Sequence, residues 1–159
     1  MSTIHVAGGV GVAPTEMAAY DAALADANLH NYNLIAVSSV IPADAELAVV
    51  DKAPNLGPAG NKLTVVQGKI VAGPERDADE IATGIGWATG PGPGLFYEAH
   101  GVDPTAVERE IRRGLDAGCE LREWTITDRD VAMSTIEPHE ESYTAAVMLA
   151  AYGDSEPIL

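Results

Sequence analysis

Apolar and polar positions divide the chain into short strands and two helices. Thr3 to Ala7 reads as a first strand. Gly8-Gly9-Val10-Gly11-Val12-Ala13-Pro14 follows as a flexible glycine turn leading into a helix. Thr15 is placed to cap that helix, which runs to about Asn28 with Met17, Tyr20 and Leu24 at helical spacing as its apolar stripe. Asn33-Leu34-Ile35-Ala36-Val37-Ser38-Ser39-Val40-Ile41-Pro42 is short, apolar, rich in β-branched residues and closed by proline, the signature of a buried strand. Ala45 to Val50 is a further strand, and Asp51 to Asn61, with Pro54, Gly57, Pro58 and Gly60, is a loop. Leu63 to Val66 and Lys69 to Ala72 flank Gln67-Gly68 as a hairpin.

In the second half, Ile81 to Thr89 reads as a strand whose Gly84 and Gly86 let another element pack closely. After the stiff connection Gly90-Pro91-Gly92-Pro93-Gly94, the run Leu95 to Gly101 alternates. Phe96 and Glu98 share one face; Leu95, Tyr97 and Ala99 share the other. Asp103-Pro104 starts a helix with Val107, Ile111 and Leu115 as its buried stripe, Arg109, Arg112 and Asp116 outward, and Gly118 at its end. Glu120 to Thr127 and Val131 to Ile136 form a second hairpin around Asp128-Arg129-Asp130, and Tyr143 to Tyr152 is a last buried strand. The elements imply an α+β fold, a layered αββα-type sandwich of mainly antiparallel sheets covered by helices. At 159 residues this is a single domain, 1–159.

Charge narrows the partners. Against 24 acidic residues stand 9 basic ones, for a net charge of −15, which disfavours nucleic acid and anionic membrane surfaces as partners. The acids are spread from Glu16 to Glu156, so they form a folded acidic surface of the kind that suits a high-salt cytoplasm. Such a surface favours approach of a cationic substrate. No apolar run approaches a membrane span and no secretion signal opens the chain, which points to the cytoplasm. The single cysteine, Cys119, reads as a small core residue, and the four histidines, His5, His30, His100 and His139, lack zinc-binding spacing, so no metal site is expected.

Three places carry candidate chemistry. Asp21, one turn after Met17, falls within the inward arc of the first helix, where a carboxylate needs a partner: either a group of its own fold or a bound ligand. Glu98 is an ionisable group in an otherwise apolar strand; buried, it would have a raised pKa, and at a sheet edge it would simply face water. Ser38-Ser39 puts two hydroxyls where packing alone favours valine. Adjacent serines are common, yet a chain held rigidly across a Ser-Ser bond can cut itself there and turn the second serine into a pyruvoyl group. The glycine run after the first strand superficially matches a dinucleotide-binding turn through Gly9 and Gly11, but proline stands where its third glycine belongs.

Taken together, Ala19-Tyr20-Asp21-Ala22-Ala23-Leu24, Asn33-Leu34-Ile35 with Ser38-Ser39-Val40-Ile41-Pro42, Gly94-Leu95-Phe96-Tyr97-Glu98 and the Gly118 to Trp124 region resemble, in order, the corresponding parts of the pyruvoyl-dependent arginine decarboxylases. The stretch from the asparagine to the serine pair is the specific part. The resemblance implies self-cleavage between Ser38 and Ser39 into chains 1–38 and 39–159, with a covalent pyruvoyl cofactor derived from Ser39. That carbonyl would form a Schiff base with L-arginine and draw off the electrons left by carbon dioxide, giving agmatine for polyamine synthesis. It further implies that Glu98 supplies the proton to the substrate carbon, that Asn33 hydrogen-bonds near the pyruvoyl group, and that Asp21 contacts the substrate guanidinium. Trimers, often paired into hexamers with sites between subunits, are also implied. A pyruvoyl decarboxylase for another amino acid, an uncleaved ligand-binding relative and a nucleotide-binding oxidoreductase are the alternatives.

Overall fold

The first strand runs through the glycine segment instead of ending before it. In the computed structural model, which describes residues 2–159, β1 (Thr3–Ala13) is one unbroken strand. The glycines are there for packing. A Cβ on Gly11 would lie 2.5 Å from the backbone nitrogen of Ala23, and one on Gly9 2.9 Å from that of Ala27, so only a strand without side chains at these positions admits the first helix so closely. That helix, α1 (Glu16–Asp26), is capped as expected by Thr15, whose side chain accepts from the Ala18 N–H. Its inward face is only partly the expected one: Leu24 is buried and Tyr20 packs against the same cluster, but Met17 is not part of it. Ala19, Ala23, Leu24 and, just beyond, Ala27 are buried, whereas Met17 is 77% exposed. A glycine-bearing strand selects the small residues of the helix, so the alanine stripe turns inward and Asp21 turns out to solvent.

The expected buried strand around the serine pair is two short strands, β2 (Asn33–Ala36) and β3 (Val40–Ile41), and only Ile41 of the ten residues is fully buried. β4 (Glu46–Val49) follows. The hairpin expected around Gln67-Gly68 is a single strand, β5 (Lys62–Ala72), because Gly68 makes room for a side chain of the opposite sheet and no turn forms. β6 (Ile81–Thr89) and β7 (Gly94–Gly101) are as expected. So is α2 (Pro104–Glu120), capped by Asp103 and buried through Val107, Ile111 and Leu115, although it continues past Gly118. Residues 121–127 are not a strand, since Trp124 and Ile126 pack against the α2 cluster. The chain re-enters a sheet as β8 (Asp128–Ile136), and β9 (Tyr143–Tyr152) ends the fold.

One sheet has the order β2-β5-β9-β1-β4 and the other β3-β7-β6-β8. Pairing is antiparallel except for β1 with β4 and β2 with β5. α1 covers the outer face of the five-stranded sheet, joined to it by a cluster that includes Ala23, Leu63, Val65 and Leu149. α2 covers the four-stranded sheet through Ile111 and Leu115. Gly86 stands under Ile111, as the close packing expected at that strand requires. Between the sheets lie Val6, Val66, Ile85, Phe96 and Met148. Each fully buried large side chain in these layers contributes about 1.5–3 kcal/mol. The architecture is thus the α+β layered sandwich expected.

A candidate active site where the chain changes sheets

β2 and β3 are consecutive in sequence but belong to different sheets, so the three residues between them carry the chain across. The last bond to the five-stranded sheet is from the Val37 N–H to the Val65 carbonyl, at 3.0 Å. The first bond to the four-stranded sheet is from the Phe96 N–H to the Ser39 carbonyl, at 2.7 Å. Ser38 lies between these two anchors. The Ser38–Ser39 peptide is therefore held from both ends while standing outside either ladder, which explains why apolar composition misread it as regular strand.

Ser38 and Ser39 line a cleft of about 300 Å³ together with Val37, Phe96, Tyr97 and Glu98. β7 places Glu98 there: Phe96 on the same face is sunk between the sheets, and Leu95 and Ala99 on the other pack under α2. The alternation expected for this strand holds. Partial burial pushes the Glu98 carboxyl above its ordinary value, and a hydrogen bond involving its own backbone opposes the shift without cancelling it.

Glu98 and Tyr97 also border a larger groove of about 1270 Å³, whose other wall includes Tyr20, Gln67, Lys69 and Arg76. This groove follows from topology. β2 pairs with β5 only as far as Val65, so the rest of that β5 edge is left uncovered beside β7. The Tyr20 hydroxyl donates to Gln67, and the Lys69 ammonium sits 4.9 Å from the centre of the Tyr20 ring. The smaller cleft is the one that contains the serine pair.

Two other candidates lie elsewhere in the chain. Asn33 opens β2, its side-chain amide donating to the Gly60 carbonyl at 2.8 Å and its N–H to Asn61, and it does not line the cleft. Asp21 is exposed on α1 and has neither a hydrogen bond nor an ion pair among the described residues. Its expected place in the inward arc is overturned, and with it the reading as an acid partnered by its own fold. Asp26, by contrast, accepts from the Val10 N–H at 2.9 Å. The glycine run, being mid-strand, offers no phosphate-binding turn.

Sequence reasoning did not single out Tyr152. It ends β9, and its hydroxyl donates to the Val40 carbonyl at 2.9 Å across 112 positions of sequence. No local pattern signals such a contact. Among the described residues no helix is long and apolar enough to cross a membrane, and no group of three or more His, Cys, Asp or Glu side chains is placed to hold a metal ion.

Fold and cleft define a class: a four-layer α-β-β-α protein in which a doubly anchored Ser-Ser peptide faces a carboxyl of raised pKa. The family model for pyruvoyl-dependent arginine decarboxylase matches residues 3–157. A pyruvoyl-dependent arginine decarboxylase of Halobacterium salinarum is 52% identical, the match covering 99% of this chain and 98% of the relative. Those of Pyrococcus horikoshii and Methanopyrus kandleri are 30% and 29% identical over 87% and 91% of this chain and 88% and 91% of theirs. The chain belongs to the pyruvoyl-dependent arginine decarboxylase family.

Proposed function

We propose that this protein decarboxylates L-arginine to agmatine and carbon dioxide with a pyruvoyl group made from its own Ser39, in the cytoplasm and as a source for polyamine synthesis. The observation that carries this reading is the Ser38–Ser39 peptide anchored on both sides in one cleft with Glu98. Family membership supplies the pyruvoyl chemistry.

The residues present fit that group. Ser39 is partly buried, its carbonyl is fixed by Phe96, and its hydroxyl needs only to reach the neighbouring Ser38 carbonyl carbon. Attack by Ser39 Oγ forms an ester and frees the Ser39 amine. Elimination then breaks the Cβ–O bond, leaves Ser38 as a carboxylate and gives dehydroalanine, and water releases ammonia to leave the pyruvoyl group. Holding the reacting atoms in one geometry is what makes such a step intramolecular and fast. When formed, the group supplies a carbonyl that accepts the substrate amine and takes up the electrons of the departing carboxylate.

Glu98 holds the proton that the substrate carbon needs after carbon dioxide leaves, and its raised pKa keeps a larger share of the carboxyl protonated near neutral pH. Asp21, exposed and free of an intrachain partner, is the guanidinium contact, offered to a site on a neighbouring protomer of a trimer or hexamer. Asn33 assists processing from the start of β2, at the far end of the strand that delivers the serine pair.

Intact mass of the denatured protein tests the reading: chains of residues 1–38 and 39–159 are expected, the second beginning with a pyruvoyl group. A folded chain that stays whole overturns it. Carbon dioxide release from arginine, lysine, ornithine and histidine separates arginine from other amino-acid substrates.

A further inference from the structure

Cutting the Ser38–Ser39 bond would remove half of what holds residue 39. Before the cut the crossing is tied on one side by Val37 to Val65 and on the other by Phe96 to the Ser39 carbonyl. Afterwards Val37 and Ser38 belong to the other fragment, and residue 39 is a chain end. Its own side retains the Phe96 bond and the pairing of β3 with β7, which covers only Val40 with Leu95 and Ile41 with Gly94. Ends held by so short a ladder fray readily.

One further contact reaches this end from the opposite sheet, the bond from the Tyr152 hydroxyl to the Val40 carbonyl. The Tyr152 ring also meets Phe96 edge-on, with centroids 6.0 Å apart at 66°. The carbonyls of residues 39 and 40 are thus held by two residues that brace each other. Tyr152 does not line the cleft containing Ser39 and Glu98, so it acts on position and not on substrate.

We propose that Tyr152 is a positioning residue for the reaction, its hydroxyl fixing the chain end that carries the pyruvoyl group once the peptide has been cut. The inference rests on the cleavage reading above. Burial pushes the phenol up to about 12, so the hydroxyl remains a donor throughout the working range of pH.

Tyr152→Phe keeps the ring and its contact with Phe96 and removes only the donor. A lost neutral hydrogen bond predicts a fall in kcat of about threefold to tenfold, with KM for arginine unchanged and cleavage complete by intact mass. Tyr32→Phe is the control: its hydroxyl bonds the Gly57 carbonyl and the Leu56 N–H in a loop away from the cleft. It is expected to lower the urea midpoint and leave kcat unchanged. A cut Tyr152→Phe enzyme with wild-type kcat overturns the proposal, as does a folded variant that fails to cut, which would place Tyr152 in processing. An uncut wild type instead overturns the reading beneath it.

Discussion

A methyl group added at Gly68 should separate the two sheets beside Glu98. Gly68 lies on the inner face of β5, and a Cβ there would stand 2.5 Å from Thr83 Oγ1, 3.1 Å from the Gly84 carbonyl oxygen and 3.5 Å from Glu98 Cβ. Ordinary contact begins at 3.4 Å, so the Thr83 hydroxyl has to yield by nearly an ångström or the sheets must part. Thr83 is fully buried and donates to the Ala99 carbonyl at 2.9 Å, which leaves it little freedom. Overpacking of this kind costs about 1–3 kcal/mol. Displacing the buried hydrogen bond adds about 1 kcal/mol. Gly68→Ala is therefore expected to lose about 2–4 kcal/mol.

Urea unfolding at fixed salt and protein concentration measures that loss, with both held constant because the proposed assembly would make apparent stability depend on them. Thr83→Ala removes the obstructing oxygen, so the double variant should recover about 1–2 kcal/mol relative to the sum of the single changes. Gly92→Ala, with no atom within 4 Å of its added Cβ, is the control and should be neutral within about 0.5 kcal/mol. A Gly68→Ala protein as stable as the parent would refute the packing argument. So would strict additivity with Thr83→Ala.

Three further predictions concern the chemistry. Ser39→Ala lacks the attacking oxygen and should fold but remain one chain of 159 residues by intact mass. Glu98→Gln should be cut, at a normal or reduced rate, and decarboxylate poorly; normal turnover would remove Glu98 from the mechanism. The same variant carries a stability test whose sign follows from linkage. A carboxyl with a raised folded pKa favours the fold fully below its unfolded value and loses that contribution as pH rises through the folded value. Glu98→Gln should therefore gain on the parent in urea midpoint as pH rises above about 4.5, then level off, and a gain that grows toward acid would refute the burial argument. Asp21→Asn should raise KM for arginine with little change in kcat, and unchanged saturation behaviour would exclude Asp21 as the guanidinium contact.

The sequence showed most of the layers and misread the places where small residues govern packing. Large apolar stripes, as at Val107, Ile111 and Leu115, announce their own burial, and the proline and aspartate at the start of α2 fix its phase. Glycine carries no such signal. Gly9 and Gly68 looked like turns, yet each sits in a strand because another element needs its missing side chain. The same blindness shifted the face of α1: Ala19, Ala23 and Ala27 have little hydrophobic weight beside Met17, but they are small enough to lie close against a bare strand. Asp21 was misplaced as a consequence, not through any property of its own. At the site, Glu98 was legible because an acid in an apolar strand stands out against its neighbours. Tyr152 was not, because its contact with Val40 depends on how two sheets stack.

On the proposed reading, the place of the serine pair follows from a conflict between regular structure and the cleavage asked of it. Within a strand, ladder hydrogen bonds and alternating side chains keep each peptide extended, and consecutive side chains point to opposite faces. A hydroxyl that must approach the preceding carbonyl carbon needs a peptide released from that regularity. A fully free loop releases it but pays in orientation, since the reacting atoms then meet only rarely. The crossing between sheets resolves the conflict, because Val37 is anchored to one sheet and Ser39 to the other while Ser38 belongs to neither ladder. By leaving the five-stranded sheet at that point, the chain also uncovers the far edge of β5 and opens the groove on which Glu98 borders. A single departure from regular pairing therefore leaves the serine peptide outside both ladders and opens a groove beside it, the two conditions that the proposed cleavage and decarboxylation require.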